Sequence, residues 1–172
     1  MGPVELTFFA VLAVFGAIGL VRGQWKELGV TTMLMLVLFA MEVISEQFAS
    51  QVQAFLGFFV GPDPQAQAGA LAVIYSVTLI IVAFISYEGE TLAFLPRNKN
   101  WFFSLGAGLL SGWLLAGSIW YYLQAAGWPV LRVSGPFSAL YNALVPLLPP
   151  ALLTWWMFAG LAILLLIARV WK

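Results

Sequence analysis

Long stretches without charge constrain the fold of this chain more than any other feature. Charged residues make up only 8% of the 172-residue sequence, whereas apolar residues make up 63%. Soluble domains carry about 25% charged residues, so this composition cannot cover a water-facing surface. Several uncharged stretches approach the roughly 20 residues that a helix needs to cross the hydrocarbon core of a bilayer. The sequence therefore predicts an integral membrane protein.

Five apolar segments are predicted to form transmembrane helices. Backbone amides find no hydrogen-bond partner in lipid, and an α-helix satisfies its own amides. We therefore expect a single domain over residues 1–172, an all-α bundle of about five transmembrane helices. The predicted spans cover residues 4–22, 27–46, 69–87, 101–125 and 150–168.

The basic residues predict how these spans are oriented. Six of the seven fall in three places that share one side of the membrane if all five segments cross. Basic residues are enriched in cytoplasmic loops, so this side is assigned to the cytoplasm. We expect a bacterial inner-membrane protein with its N-terminus outside and its C-terminus in the cytoplasm. The predicted anchors at the cytoplasmic face are Arg22, Lys26, Arg97, Lys99, Arg169 and Lys172.

Two connections on the predicted outer side have the pattern of short amphipathic helices. The first, at about 46–60 and before Pro62, has one apolar helical face that consists of Phe48, Val52, Phe55, Leu56 and Phe59. The second, at about 136–147, has a similar face between prolines. Both are expected to lie in the plane of the membrane interface, where they either shield loop backbone or form a docking surface for a partner.

Two carboxylates lie near the outer end of the second span. From Glu27 to Glu42 a helix rises only about 22 Å, which is less than a hydrocarbon core of about 30 Å. Glu42 should then dip into the apolar region, or the bilayer should be thinner there. Glu46 follows one turn later, so the two form a candidate proton or cation site. The alternative is that Glu42 bonds to a neighbouring helix or to an outer loop.

Small residues recur on two spans at the spacing of helix contacts. They let helix backbones approach closely, which replaces the hydrophobic drive for association that is missing in lipid. We expect the resulting grooves to pack against each other or against a neighbouring subunit. The predicted packing and partner-contact residues are Gly16, Gly19 and Gly23 on the first span and Ser104, Gly108, Gly112 and Ala116 on the fourth.

Four tryptophans do not fit the interfacial belt that the other four suggest. Their rings could stack on a lipid, a quinone, a carotenoid or another pigment, and they could equally pack on acyl chains or a neighbouring helix. A chlorophyll magnesium would need a ligand such as Asn142 or Gln124. No cofactor is required by the sequence. The four tryptophans are Trp113, Trp120, Trp155 and Trp156.

Missing residue types disfavour several classes of function. The chain has no cysteine and no histidine, which excludes a thiol catalyst and removes the commonest metal ligand. Seven basic and seven acidic residues leave no basic stripe for nucleic acid. The serines have no histidine partner, and the carboxylates are not set in facing pairs. We therefore expect no enzymatic activity, no bound metal and no nucleic-acid partner.

The segment GLVRGQWKELG at residues 19–29 contains a G-x-x-R-G turn followed by an acidic residue, and a further acidic residue stands near the start of the first span. This pattern resembles the CvpA family, the colicin V production protein and its bacterial relatives. GAGLLSGWLLAG at 106–117 is similar to the glycine-rich fourth span of that family. The resemblance covers about residues 4–123 and implies an inner-membrane protein linked to secretion or envelope maintenance, without an established catalytic residue. The matching residues are Glu5, Gly19, Arg22, Gly23 and Glu27.

These features lead to two hypotheses about function. The first is a non-catalytic membrane subunit or scaffold that packs into, or helps to assemble, a larger bacterial membrane complex, with respiratory and photosynthetic complexes as candidates. Its partners would be other integral membrane proteins and lipids. The alternative is a small channel or export factor of the CvpA type. A channel needs polar residues along the middle of the bundle, and Ser76, Thr78 and Thr154 supply few of them.

Overall fold

The computed structural model describes residues 2–89, 92, 100–130 and 137–170, and the regular elements in these ranges are all helical. Four of the helices, at Pro3–Arg22, Gln24–Gln47, Pro64–Glu88 and Trp101–Ala125, are long and apolar enough to cross a bilayer. The expected all-α membrane bundle is therefore confirmed. In chain order the helices are α1 (Pro3–Arg22), α2 (Gln24–Gln47), α3 (Ala49–Val60), α4 (Pro64–Glu88), α5 (Trp101–Ala125), α6 (Ala139–Leu144), α7 (Pro149–Leu152) and α8 (Trp155–Val170), with a 3-10 turn at Val145–Leu147.

The first four predicted spans correspond to the four long helices, but two of these begin three or more residues earlier than predicted. Helix α2 starts at Gln24, so Glu27 lies inside the helix and not at its start. Its 24 residues rise about 36 Å, which is enough to cross the hydrocarbon core. The section from Glu27 to Glu42 still rises only about 22 Å, so a Glu42 that dips into the apolar region, or a thinner bilayer, stays a prediction. Helix α4 starts at Pro64 because the Asp63 carboxylate accepts bonds from the first free backbone amides.

The fifth predicted span, 150–168, is divided in the structure. Residues Pro149–Leu152 form a single turn, and Leu153 then adopts an extended conformation, so α8 begins only at Trp155. The 16 residues of α8 rise about 24 Å, which is less than a hydrocarbon core of about 30 Å. A crossing by α8 therefore stays a prediction.

The two connections that were expected to form amphipathic helices are helical. The first is α3, which a break at Phe48 separates from α2. The second comprises α6 and the 3-10 turn, and residues 131–136 before it lie outside the described part of the chain. In the predicted apolar face of α3, Leu56 is buried, whereas Phe55 and Phe59 are 61% and 67% exposed. Exposed phenylalanines suit contact with lipid, and the position of both helices at the interface stays a prediction.

The four long helices alternate in direction along the chain. Helices α2 and α5 run parallel, because hydrogen bonds join residues at a constant separation of 80: Gln24 with Ser104, Thr31 with Ser111, and Glu42 with Tyr122. Helices α1 and α4 run opposite to this pair. We call the end of the bundle that holds the turn between α1 and α2 the Gly23 end, and the opposite end the Phe48 end.

Helix α5 occupies the centre of the bundle, in contact with α1, α2 and α4, and α8 packs on α2. The main core is aliphatic and includes fully buried Leu34, Leu79 and Phe158. A second, aromatic cluster lies at the Phe48 end, where Phe8 of α1 packs on Trp120 of α5. The central position of α5 places its polar side chains between three neighbouring helices.

Candidate functional site

The small-residue grooves predicted on the first and fourth spans pack against each other within the chain. A Cβ atom added to Gly19 would lie 2.8 Å from the Cα atom of Gly108, and one added to Gly112 would lie 2.8 Å from the Cβ atom of Phe15. A Cβ atom on Gly16 would also be in tight contact with α5, at 3.1 Å. Of the two predicted arrangements, the structure therefore has the pairing of the two grooves. A partner cannot reach these glycines unless α1 separates from α5.

The other predicted packing residues also serve contacts within the chain. Gly23 connects α1 to α2 at a φ of +88°, a left-handed conformation that favours glycine. The Ser104 hydroxyl accepts a bond from the Gln24 amide at 3.1 Å and donates to the Asn100 carbonyl at 2.8 Å. Ala116 is half-buried beside the aromatic cluster. These residues position helices and leave little surface for a second protein.

A buried carboxylate joins three helices at the Gly23 end. Glu27 of α2 has no exposed surface and accepts a hydrogen bond from the Tyr87 hydroxyl of α4 at 2.7 Å. The Arg22 Nε atom of α1 lies 3.8 Å from Glu27 Oε1, and the guanidinium lies 4.5 Å from the centre of the Tyr87 ring. A buried carboxylate is tolerated when it is paired and hydrogen-bonded, and these two partners supply both conditions. We call Arg22, Glu27 and Tyr87 the Gly23-end cluster.

In the contact between α2 and α5, Thr31 and Ser111 bond to each other at 2.9 Å, and both are fully buried. Neither this pair nor Tyr87 was predicted from the sequence. A signal was available, because Ser104, Ser111 and Ser118 recur every seven residues on α5. Such spacing keeps side chains on one seam between two helices. This spacing would have predicted a row of polar side chains on α5, although it would not have predicted which helix contacts that row.

At the Phe48 end a second carboxylate of α2 bonds to α5. Glu42 is half-buried and accepts a hydrogen bond from the Tyr122 hydroxyl at 2.9 Å. The Tyr75 ring of α4 packs 5.1 Å from the Tyr122 ring, and its hydroxyl lies 2.9 Å from the Ser45 hydroxyl. We call Glu42, Ser45, Tyr75 and Tyr122 the Phe48-end cluster. Of the two alternatives for Glu42, the bond to a neighbouring helix is observed.

Glu46, the second member of the predicted carboxylate pair, is exposed one turn after Glu42. The structure therefore gives the two carboxylates different surroundings and does not enclose them in one pocket. Among the residues that the structure describes, no group of three or more acidic side chains is arranged to hold a metal ion. A role of Glu42 and Glu46 in proton or cation binding stays a prediction.

An apolar layer separates the two clusters. Leu34 and Leu38 of α2, Leu79 of α4 and Leu114 of α5 are all fully buried in one hydrophobic core. Interiors of this kind are close-packed and hold few voids larger than a water molecule. A hydrated path from one cluster to the other would require these leucines to move apart.

The four tryptophans of the predicted lipid, quinone or pigment contact divide into two pairs. Trp120 is only 3% exposed, with its ring 5.1 Å from the Tyr141 ring. The Trp113 indole donates a hydrogen bond to a carbonyl of the 3-10 turn at 3.0 Å. Trp155 and Trp156, in contrast, are 37% and 57% exposed at the start of α8. The first pair holds the fold together, and the second pair is the more accessible to a ligand.

The acidic residue at the start of α1 also serves a contact between helices. Glu5 is buried and accepts a hydrogen bond from the Ser138 hydroxyl. The same hydroxyl accepts a bond from the Tyr141 amide at 3.0 Å and thereby caps α6. Glu5 therefore attaches α6 to the beginning of α1. Asn142 of α6, one of the candidate magnesium ligands, is exposed, and Gln124 of α5 is half-buried.

Three of the predicted membrane-face anchors lie in the described part of the chain. Arg22 belongs to the Gly23-end cluster, Lys26 is exposed close to it, and Arg169 is half-buried in the last turn of α8. Their position in a headgroup layer stays a prediction. The other three anchors, Arg97, Lys99 and Lys172, lie outside the described residues.

The chain matches no protein-family model, no curated protein and no solved structure. The resemblance to the CvpA family therefore rests on the quoted residues alone. In the structure these residues share a role in packing, since Gly19 is covered by α5, Gly23 forms the turn, and Glu5, Arg22 and Glu27 bond to other helices. The arrangement as a whole can hold helices together through paired carboxylates.

Proposed function

We propose that the chain is a non-catalytic integral membrane subunit or scaffold that packs into, or helps to assemble, a larger membrane complex. The observation that carries this proposal is the closed interior. Glu27 and Glu42 both bond to tyrosines of neighbouring helices, and buried leucines fill the section between them. The interior contacts thus hold the helices together, and the surface that remains for contact with another protein is the apolar exterior.

The proposed contact surface lies on α4 and not on the glycine grooves. Gly19 and Gly108 are covered by the chain's own helices. On α4, Val77, Ile81 and Phe84 are 48%, 51% and 64% exposed, and their spacing of four and three residues places them on one helical face. An apolar face of this kind suits packing against lipid or against another transmembrane helix. We assign it to a partner helix.

A photo-crosslinking experiment tests this assignment. A photoreactive amino acid is placed at Ile81, which is 51% exposed, and in a matched control at Leu79, which is fully buried two residues away. In native membranes, Ile81 should crosslink to another integral membrane protein and Leu79 should not. The tagged chain, expressed at its natural level, should also migrate with that protein in mild detergent. Crosslinks to lipid alone, together with migration as a single chain, would overturn the proposal.

We further propose a bacterial inner-membrane location with the Gly23 end in the cytoplasm, as the basic residues and the CvpA resemblance suggest. The chain has no cysteine, so single cysteines can be introduced without background labelling. An impermeant maleimide added outside should label a cysteine at Gly2, and labelling at Lys26 and Lys99 should require opened membranes. If Lys99 and the C-terminus are labelled from opposite sides, the proposed arrangement is wrong.

The small channel or export factor is the less supported function, because the leucine layer would have to open. Liposomes that contain only this protein should show no proton flux above that of empty liposomes. A flux that Glu42→Gln abolishes would favour the channel and contradict the scaffold.

A further inference from the structure

A cleft of about 820 Å³ lies beneath α3, between this helix, the end of α2 and the beginning of α4. Its volume falls in the range of roughly 300–1,000 Å³ that small-molecule sites occupy. Non-helical residues, Phe48 and Gly61, flank α3 on both sides, and Leu56 is its one buried residue. The helix therefore covers the cleft without filling it.

The side chains around the cleft combine hydrogen-bonding groups with an apolar floor. Val52, Leu56 and Leu71 form the apolar part. The Gln67 amide donates a hydrogen bond to the Gly61 carbonyl at 2.8 Å, which fixes its orientation. An amide offers both donors and an acceptor, so it can bond to hydroxyl and to carbonyl oxygens. The polar groups that line the cleft are Ser45, Ser50, Gln53 and Gln67.

The lining of the cleft disfavours an anionic ligand. The described residues that line it include no basic side chain. Two carboxylates lie next to lining residues in the sequence: Glu46 follows Ser45, and Asp63 lies between Pro62 and Pro64. A phosphate group would find no cation to pair with among these residues. The head of a suitable ligand is therefore uncharged.

The surface of α3 that faces away from the cleft indicates that such a ligand enters from the membrane. Phe55, Phe58 and Phe59 are 61%, 86% and 67% exposed on this helix. A short helix with exposed aromatic rings fits the boundary between headgroups and acyl chains. The head of a lipid that diffuses in the membrane therefore lies at the same depth as the cleft.

We propose that the cleft beneath α3 binds one uncharged lipid. Oxygen atoms of its head bond to the amides of Gln53 and Gln67, and its chain lies along Leu56 and Leu71. Diglycerides and quinones share this chemistry, since both carry uncharged oxygen-bearing heads on long apolar chains. The site is independent of the partner surface on α4, so its loss would leave the proposed assembly role untouched.

Lipid binding to the purified full chain tests this proposal. The delipidated protein in detergent is titrated with dioleoylglycerol, with decylubiquinone and with dioleoylphosphatidylglycerol, and native mass spectrometry counts the bound molecules. The first and third lipids carry the same acyl chains and differ only in the charged head. We expect one molecule of diglyceride or of quinone to bind at a concentration at least about tenfold lower than the anionic lipid, a difference of about 1.4 kcal/mol. Equal or tighter binding of the anionic lipid, or no binding of either neutral lipid, would overturn the proposal.

Variants of the lining locate the binding. Ala68→Phe places a ring in the cleft and should abolish the bound molecule, whereas Val77→Phe adds the same ring on the exposed face of the same helix and should leave binding unchanged. Gln53→Leu removes one amide at an exposed position and should weaken binding about fivefold, as expected for one hydrogen bond. Gln53→Leu also decides the matter if Ala68→Phe loses its monodisperse elution. Normal binding by Gln53→Leu and by a folded Ala68→Phe would show that the lipid lies elsewhere.

Discussion

In each of the two clusters a glutamate of α2 accepts a hydrogen bond from a tyrosine, but the surroundings of the two glutamates differ. Glu27 at the Gly23 end is fully buried, bonds to Tyr87 and has the Arg22 guanidinium beside it. Glu42 at the Phe48 end bonds to Tyr122 in the same way but is only half-buried. A hydrogen bond to a charged group stabilises more where water cannot replace it. We therefore expect the Gly23 end to be the more rigid junction and the Phe48 end to adjust more readily.

The sharpest test of this rigidity is the close approach of α1 and α5 near the Gly23 end. Gly108→Leu would force side-chain atoms into the backbone of α1. Gly106, two residues earlier on the same helix, has open space beside it. Overpacking of a tight core costs typically about 1–3 kcal/mol, and we expect about 3 kcal/mol or more here. Gly108→Leu should lose most of its monodisperse fraction in size-exclusion chromatography, and Gly106→Leu should not. Similar elution of the two variants would mean that α1 and α5 are not closely packed.

Removal of each carboxylate compares the two clusters directly. Glu27→Ala leaves the half-buried Arg22 charge without its partner, and breaking a buried pair in this way costs roughly 3–5 kcal/mol. Glu42→Ala removes one hydrogen bond at a site that water or headgroups can reach, and we expect about 1 kcal/mol. Reversible unfolding in mixed micelles would measure both free energies. Equal losses would contradict the distinction between the two ends.

The tyrosines should repeat this difference on a smaller scale. Tyr87→Phe removes a hydroxyl that bonds to the buried Glu27, so the free energy of unfolding should fall by about 2 kcal/mol. Tyr122→Phe should cost about 1 kcal/mol, since Glu42 can find other partners. Combining each change with Glu27→Gln or Glu42→Gln gives two double-mutant cycles. A coupling energy at Glu42 as large as that at Glu27 would not fit our interpretation.

The smallest expected effect concerns the shape of the cation. Arg22→Lys keeps the positive charge near Glu27 but loses the planar group that lies over the Tyr87 ring. We expect a loss of about 0.5–1 kcal/mol in the free energy of unfolding. Lys26→Arg, at an exposed position of the same end, should change this value by less than about 0.5 kcal/mol. If Arg22→Lys is as harmless as Lys26→Arg, the contact with the ring contributes nothing.

The length of the apolar segments made most of the fold predictable. The predicted fourth span, 101–125, coincides with α5, and Asn100 supplies the cap that starts the helix. The fifth span was predicted as continuous because its apolar residues are uninterrupted. In the structure Pro149 begins a single helical turn, and the extended Leu153 ends this turn before α8 begins. Hydropathy measures how much of a segment suits lipid, and it does not detect a break between two apolar helices.

The clusters were less predictable because they depend on how each helix is rotated. Tyr87 lies 60 residues from Glu27, and Tyr122 lies 80 residues from Glu42. The sequence gives the acidic residues of α2, whereas the packing of α4 and α5 decides which hydroxyls reach them. The tryptophans illustrate the same limit, since Trp120 is buried and Trp156 is exposed although both lie in apolar segments.

A single residue, Gly23, separates α1 from α2, and its φ is +88°. The first two helices therefore have no slack between them and are held as one tight hairpin. A side chain at position 23 would strain this bend, so a substitution there should change the angle between the first two helices before it changes any other contact.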